Sequence, residues 1–197
     1  MVNISPFKGW RFNTDIVSDL SQVIAPPYDV INDADQSALY ERSPYNYVRI
    51  ILNRSAGNER YSEAAKTFSE WKKNEILIQD TDPSVYLLCQ SFCQDDQQIE
   101  RTGFITKLKL TKLGGQVLPH EQTISKHIND RYNLMKATKA NTGQIFMSYR
   151  DQTRTVESIL GAYKNEIPLI DAVLDGIQYR LWRLTDERQI NTIQNVV

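Results

Sequence analysis

Cysteine is scarce in this 197-residue chain, with Cys89 and Cys93 the only two. They stand four apart in VYLLCQSFCQ, a run that alternates as a strand does. Both thiols would lie on one face, too far apart for an easy disulfide. No further Cys or His pair stands at finger spacing, which argues against a zinc site. Two half-buried core thiols in a reducing compartment are the expectation. Long apolar runs are missing too, and none approaches the roughly 20 residues of a membrane span. The start, MVNISPFKGWRF, has neither an apolar h-region nor a cleavage site. A soluble, cytoplasmic protein is expected. Neither GxxxxGK[ST] nor GxGxxG occurs, so a P-loop and a dinucleotide fingerprint are unsupported. Charge of one sign is not in excess: the formal net charge is -1. No global field draws the chain to nucleic acid or to an anionic membrane, and neither is expected as a partner.

What remains is ordinary globular material, 41% hydrophobic and 24% charged. FKGWRF reads as a first strand. IAPPYDVIND is a loop stiffened by Pro26 and Pro27. Asp33 can cap a short helix reaching about Glu41, and Pro44 closes that segment. YNYVRIIL, aromatic and β-branched, reads as a buried strand. From Asn58 to Lys73 the apolar positions Tyr61, Ala64, Ala65, Phe68 and Trp71 recur at three and four, the spacing of a one-faced helix. EILIQD suggests a short edge strand. SVYLLCQSFCQ and QIERTGFITKLKL form a hairpin around DDQQ, with a bulge at the glycine of ERTGF. A helix over roughly Ser125 to Ala140 and a strand, QIFMSY, follow. RTVESILGAYKN is a further helix. Asp175-Gly176 turns a second hairpin, and Thr185 or Asp186 caps a last helix. Trp10, Trp71 and Trp182 read as core anchors. The pattern predicts an α+β fold: one region over residues 1–197, with a mixed, mostly antiparallel sheet and flanking helices.

Chemistry concentrates in LPHEQTISKHINDRYNLMKATKAN. It holds His120 and His127, the only histidines, with Glu121, Asp130 and Arg131. His120 can move a proton near neutral pH, and Glu121 can be a base, an orienting group or a metal ligand. Thr123 or Ser125 can cap the helix that follows. Its free N–H groups, with Lys126 and Arg131, would welcome phosphate oxygens. Asp130 and Arg131 are neighbours in sequence, so different partners are expected for them. A plainer reading pairs Asp130 with Lys126 on a solvated face, worth a few tenths of a kcal/mol. His127 has no evident geometric link to His120. Tyr28 and Asp29 of APPYDV can serve as polar ligand contacts or belong to a structural crossover. Arg49 and Arg54 can be phosphate contacts or exposed strand-edge residues.

In order along the chain, PFKGWRF, APPYDVI, SPYNYVRI, RTGF and LPHEQT…DRYNLMKATKANTGQIF resemble the domain-of-unknown-function 1015 family of bacteria and archaea. The resemblance covers the whole chain. Members are typically about twice this length, and carry an Asp-Gly-His-His-Arg motif that does not occur here. The chain therefore resembles an N-terminal half. That motif is similar to one in the ParB/sulfiredoxin-like superfamily, some of whose members bind nucleotides and some of which phosphorylate free serine. The resemblance implies a phosphate-handling kinase of a small metabolite, free serine being one candidate. It would work with a C-terminal half, Mg²⁺ and a nucleotide or pyrophosphate. The matched positions are His120, Glu121, Thr123, Asp130, Arg131 and Asn141, with Pro26, Pro27, Tyr28 and Asp29. Where many relatives have lysine or proline before the Asp-Arg pair, this chain has His127-Ile128, so no catalytic lysine is expected there. The alternative is a non-catalytic, ParB-like module that binds a ligand or nucleic acid.

Overall fold

A computed structural model describes residues 2–112, 114–119, 122 and 124–197. In chain order its strands are β1 (Ile4–Ser5), β2 (Trp10–Phe12), β3 (Leu77–Gln79), β4 (Val85–Gln94), β5 (Gln97–Ile105), β6 (Lys107–Leu108), β7 (Ile170–Leu174) and β8 (Ile177–Leu184). The helices are α1 (Asp33–Arg42), α2 (Val48–Ile51), α3 (Glu59–Lys73), α4 (Ser125–Thr138), α5 (Thr155–Tyr163) and α6 (Glu187–Val196), with one 3-10 turn at Leu20–Gln22. The α+β class stands. The chain forms two compact units. One comprises Met1–Trp10, Gln79–Glu121 and Ile145–Val197, the other Arg11–Ile78 and Gln122–Gln144.

The first unit is built on an antiparallel sheet of order β5-β4-β8-β7. Alternation sends Val85, Leu87 and Cys89 of β4 to the same face as Trp182 and Leu184 of β8. Val156 and Leu160 of α5 and Ile190 and Ile193 of α6 close over that face, with Ile4, as one core. Asp151 starts α5 by accepting from the amides of Thr155, Val156 and Glu157 at 2.9, 2.9 and 3.1 Å. Both hairpins turn as expected. Asp95 and Asp96 have φ of 49° and 60°, and Asp175 and Gly176 have 51° and 78°, the positive pairs that match strand twist.

Several expectations are corrected. YNYVRIIL is not a strand: Val48–Ile51 is a short helix. The fully buried Asn46 decides this. Its side chain accepts from the Val48 amide at 3.0 Å and donates to the Gln22 and Ile24 carbonyls at 2.9 and 3.1 Å. The backbone is thereby turned where apolar content alone suggested extension. Asn32, not Asp33, caps α1, accepting from Ala34 and Asp35 with a reciprocal Asp35 bond. Gly103 makes no bulge, because it pairs with Leu88 in an unbroken register. Trp10 is 44% exposed and anchors no core, unlike Trp71 and Trp182. Cys89 is buried, whereas Cys93 near the hairpin tip is exposed. QIFMSY carries no ladder.

Gly9 has a packing reason. Its amide donates to the Tyr86 hydroxyl at 2.7 Å, and that hydroxyl donates to the buried Asp80 carboxylate at 2.6 Å. Arg183 pairs with the other Asp80 oxygen at 3.3 Å. Burial and the Asp80 bond push the Tyr86 hydroxyl up to about 12. A Cβ on Gly9 would stand 2.6 Å from this doubly held oxygen, whereas nothing lies within 4 Å of one on Gly103. Gly9→Ala should therefore cost about 1–3 kcal/mol, as overpacking does. Gly103→Ala should be near neutral, and urea unfolding of the two variants checks the contrast.

Candidate functional site

The second unit brings together residues from four segments. In α3 the apolar stripe buries Ala64, Phe68 and Trp71. That leaves Arg60 and Tyr61, in its first turn, beside α4. On α4, Leu134 and Thr138 are buried, and the same side carries His127, Asp130 and Arg131. The third segment is the loop APPYDV. It is fixed upstream by Asn46 and by the Tyr47 amide donating to the Val23 carbonyl at 2.7 Å. It turns with Val30 N donating to Pro27 O at 3.2 Å. The fourth is α2, whose Ile51 carbonyl points at Arg131.

Asp130 is the hub. One carboxylate oxygen accepts from Arg60 and, at 2.9 Å, from the Tyr61 hydroxyl. The other accepts from Arg131 through Nε at 2.9 Å and through Nη2. Arg131 also donates to the Ile51 carbonyl at 3.0 Å, and its guanidinium lies 3.7 Å from the Tyr28 ring centroid. The Tyr28 hydroxyl stands 3.1 Å from His127 Nδ1. Burial works to raise the Asp130 carboxyl. Bonds from Arg131 and Tyr61 and the charges of Arg131 and Arg60 outweigh it and hold it below the usual carboxylate range.

Two expectations are corrected here. Adjacency does not separate Asp130 from Arg131, because the long guanidinium arm folds back on its neighbour's carboxylate. The partner from α3 is Arg60, so the Lys126–Asp130 pair is not the one formed. His127 meets the Tyr28 hydroxyl. Lys126 is exposed on the first turn of α4, Asp29 is exposed beside Tyr28, and Asn141 is exposed past the left-handed cap at Lys139. Ile124 holds the N-cap position of α4, and its side chain makes no capping bond. His120, Glu121 and Thr123 lie outside the described residues. Arg60 and Tyr61 are not marked by the sequence, since some 70 residues separate them from Asp130 and no local pattern signals the pairing.

Next to the hub, an open groove is lined by Asn58, Tyr61, Asn133, Lys136, Ala137 and Lys139. It holds two ammonium groups, two carboxamides and no carboxylate. Asn58 occupies the N-cap of α3 without a side-chain capping bond. The far end of α4 is tied down by the half-buried Tyr47, whose hydroxyl donates to the Thr142 carbonyl at 3.2 Å. Among the described residues no three His, Cys, Asp or Glu side chains are grouped to hold a metal ion. No helix among them is long and apolar enough to cross a membrane.

Fold and site together define an α+β protein with a carboxylate-centred arginine clasp beside a basic groove. Over residues 4–197 the chain matches the family model described as "Protein of unknown function (DUF1015)", and it belongs to that family. No curated protein matches it, and no solved structure does.

Replacing the Asp130 carboxylate by a neutral carboxamide leaves two guanidinium groups side by side without a charge to balance them. Because both are partly exposed, Asp130→Asn should cost about 1–3 kcal/mol. A carboxylate depressed by folding stabilises above its unfolded pKa and loses that contribution as pH falls through its folded value. The wild-type chain should therefore lose stability on acidification through and below the ordinary carboxylate range. Asp130→Asn should show a shallower loss, read from denaturant midpoints across pH.

Proposed function

We propose that this chain supplies the phosphate-holding part of a small-molecule kinase that acts together with a further, C-terminal half. The observation that carries the reading is the groove between α3 and α4: two lysines and two asparagines converge on it with no carboxylate among its lining residues. Phosphoryl transfer asks a protein mostly for positioned cations and hydrogen-bond donors, which such a lining supplies. Lys136 and Lys139 would take phosphate oxygens, and Asn58 and Asn133 the polar atoms around them. Arg60 and Arg131 bring two positive charges to the single negative charge of Asp130, leaving a surplus of one near Tyr61. Lys126 and Arg131 remain the candidates for phosphate contact at the helix entry. Tyr28, Asp29, Thr123 and Asn141 are candidate contacts for the acceptor or donor. His120 and Glu121 are the proposed proton-handling pair, with Glu121 serving as base toward an acceptor hydroxyl such as that of free serine.

Both Asp130 oxygens are bonded to arginine, so Asp130 is not the residue that would hold Mg²⁺. Glu121 is the proposed ligand, together with the phosphate oxygens of the donor. The donor would be a nucleotide or pyrophosphate. A second reading, a ParB-like module that binds a ligand without chemistry, is favoured by the same neutralised carboxylate. Near-zero net charge argues against duplex DNA as its ligand.

Calorimetric titration of the whole protein with ATP, ADP and pyrophosphate tests the proposal. Lys136→Ala with Lys139→Ala should weaken binding about tenfold or more, the loss of charge-assisted bonds. Arg131→Ala should weaken it as well. Undiminished affinity in the double lysine variant would remove the groove from the site, and saturable binding without phosphate transfer to any hydroxyl would leave the second reading.

A further inference from the structure

The stretch Ile145-Phe146-Met147-Ser148-Tyr149-Arg150 is composed as a strand, yet none of its backbone groups is bonded to another backbone group among the described residues. Ile145 is 83% and Phe146 70% exposed, and Met147 and Tyr149 are exposed as well. Close by runs β5, nine residues long, the terminal strand of its sheet with a second edge that no strand pairs among the described residues. A long, unpaired edge and an unpaired apolar strand sequence in one unit are each a liability, and each is what the other lacks.

Two side-chain contacts already align them. The Arg101 guanidinium lies 5.6 Å from the Phe146 ring centroid, and the Phe104 and Tyr149 ring centroids are 5.3 Å apart. Both contacts have the same offset, and it runs in the same direction, so the segment travels parallel to β5. Arg101 and Phe104, three apart on a strand, point to opposite faces, as Phe146 and Tyr149 would. Arg101 also donates to Gln90 across β4 at 2.8 Å, on its own face of the sheet. A segment meeting β5 on both faces at one offset lies in the plane of the sheet, not over it. Parallel neighbours need a long crossover, and residues 106–143, which carry α4, provide one.

We propose that residues 145–150 are a fifth strand of this sheet, which docks parallel on the free edge of β5 with Arg101 beside Phe146 and Phe104 beside Tyr149. Thr102 then neighbours Met147, and Gly103 neighbours Ser148. Docking covers the β5 edge, removes Ile145 and Phe146 from water and makes the sheet mixed. The segment is a strap whose side chains are in register before its hydrogen bonds close.

Cysteine cross-linking in the full chain tests register and face together, with Cys93→Ser and Cys89→Ala removing both native thiols, since Cys89 stands opposite Thr102 in the β4–β5 ladder. Neighbouring strands lie about 4.8 Å apart, within disulfide reach for side chains on one face. Thr102→Cys with Met147→Cys should oxidise to an intramolecular disulfide. Thr102→Cys with Phe146→Cys, on opposite faces, should not. Both pairs replace exposed side chains, so folding is spared. Alternate amides of the strand, those that face β5, should also exchange at least tenfold more slowly than the remaining ones. Equal cross-linking of the two pairs, no cross-link in either, or protection that appears only as the chain self-associates would overturn the proposal.

Discussion

The shared carboxylate of Asp130 is the contact on which the second unit depends. One acidic group accepts hydrogen bonds from Arg60, Tyr61 and Arg131, and so joins the first turn of α3 to the middle of α4. Through Arg131 it reaches the Ile51 carbonyl and the Tyr28 ring. An ion pair of this kind is not a large net gain in stability, because both partners give up water. What it does is specify position. Four segments far apart in sequence are held by donors and acceptors of fixed direction, and one partly buried negative charge lets two guanidinium groups stand side by side.

This arrangement shapes the chemistry next to it. The arginines are engaged with Asp130, Tyr28 and backbone, so in the proposed phosphate site their charge would count for more than new bonds. The groove side chains Lys136, Lys139, Asn58 and Asn133 would meet the proposed ligand directly. Lysine suits such contacts because it carries a point charge on a mobile stem, whereas the guanidinium forks here are already engaged. The clasp sets the separation of α3 and α4, and with it the width of the groove.

The helix α3 was legible because five apolar residues repeat at three and four. The hairpin at Asp175-Gly176 was legible because its turn needs positive φ, and Asp-Gly supplies it. Val48–Ile51 was misread because a short apolar run fits strand and helix alike, and its shape is set by Asn46 reaching back to Gln22 and Ile24. In the site, Asp130, Arg131 and Tyr28 were singled out one by one. Their connection through Arg60 and Tyr61 was not, because local periodicity carries no information about a partner some 70 residues away. The segment at Ile145–Tyr149 is the opposite case. Its composition announces a strand, and the structure holds it beside β5 with no ladder bond.

The central claim is that α3 and α4, clasped at Asp130, present a basic groove to a phosphate-bearing ligand. Nitrogen–proton correlation spectra recorded during a pyrophosphate titration of the whole protein test it most directly. The account predicts that saturable shifts centre on the amides of Asn58, Tyr61, Asn133, Lys136 and Lys139 and fade along α3 toward Trp71. Shifts confined to the β5-β4-β8-β7 sheet, or none at millimolar pyrophosphate, would contradict it.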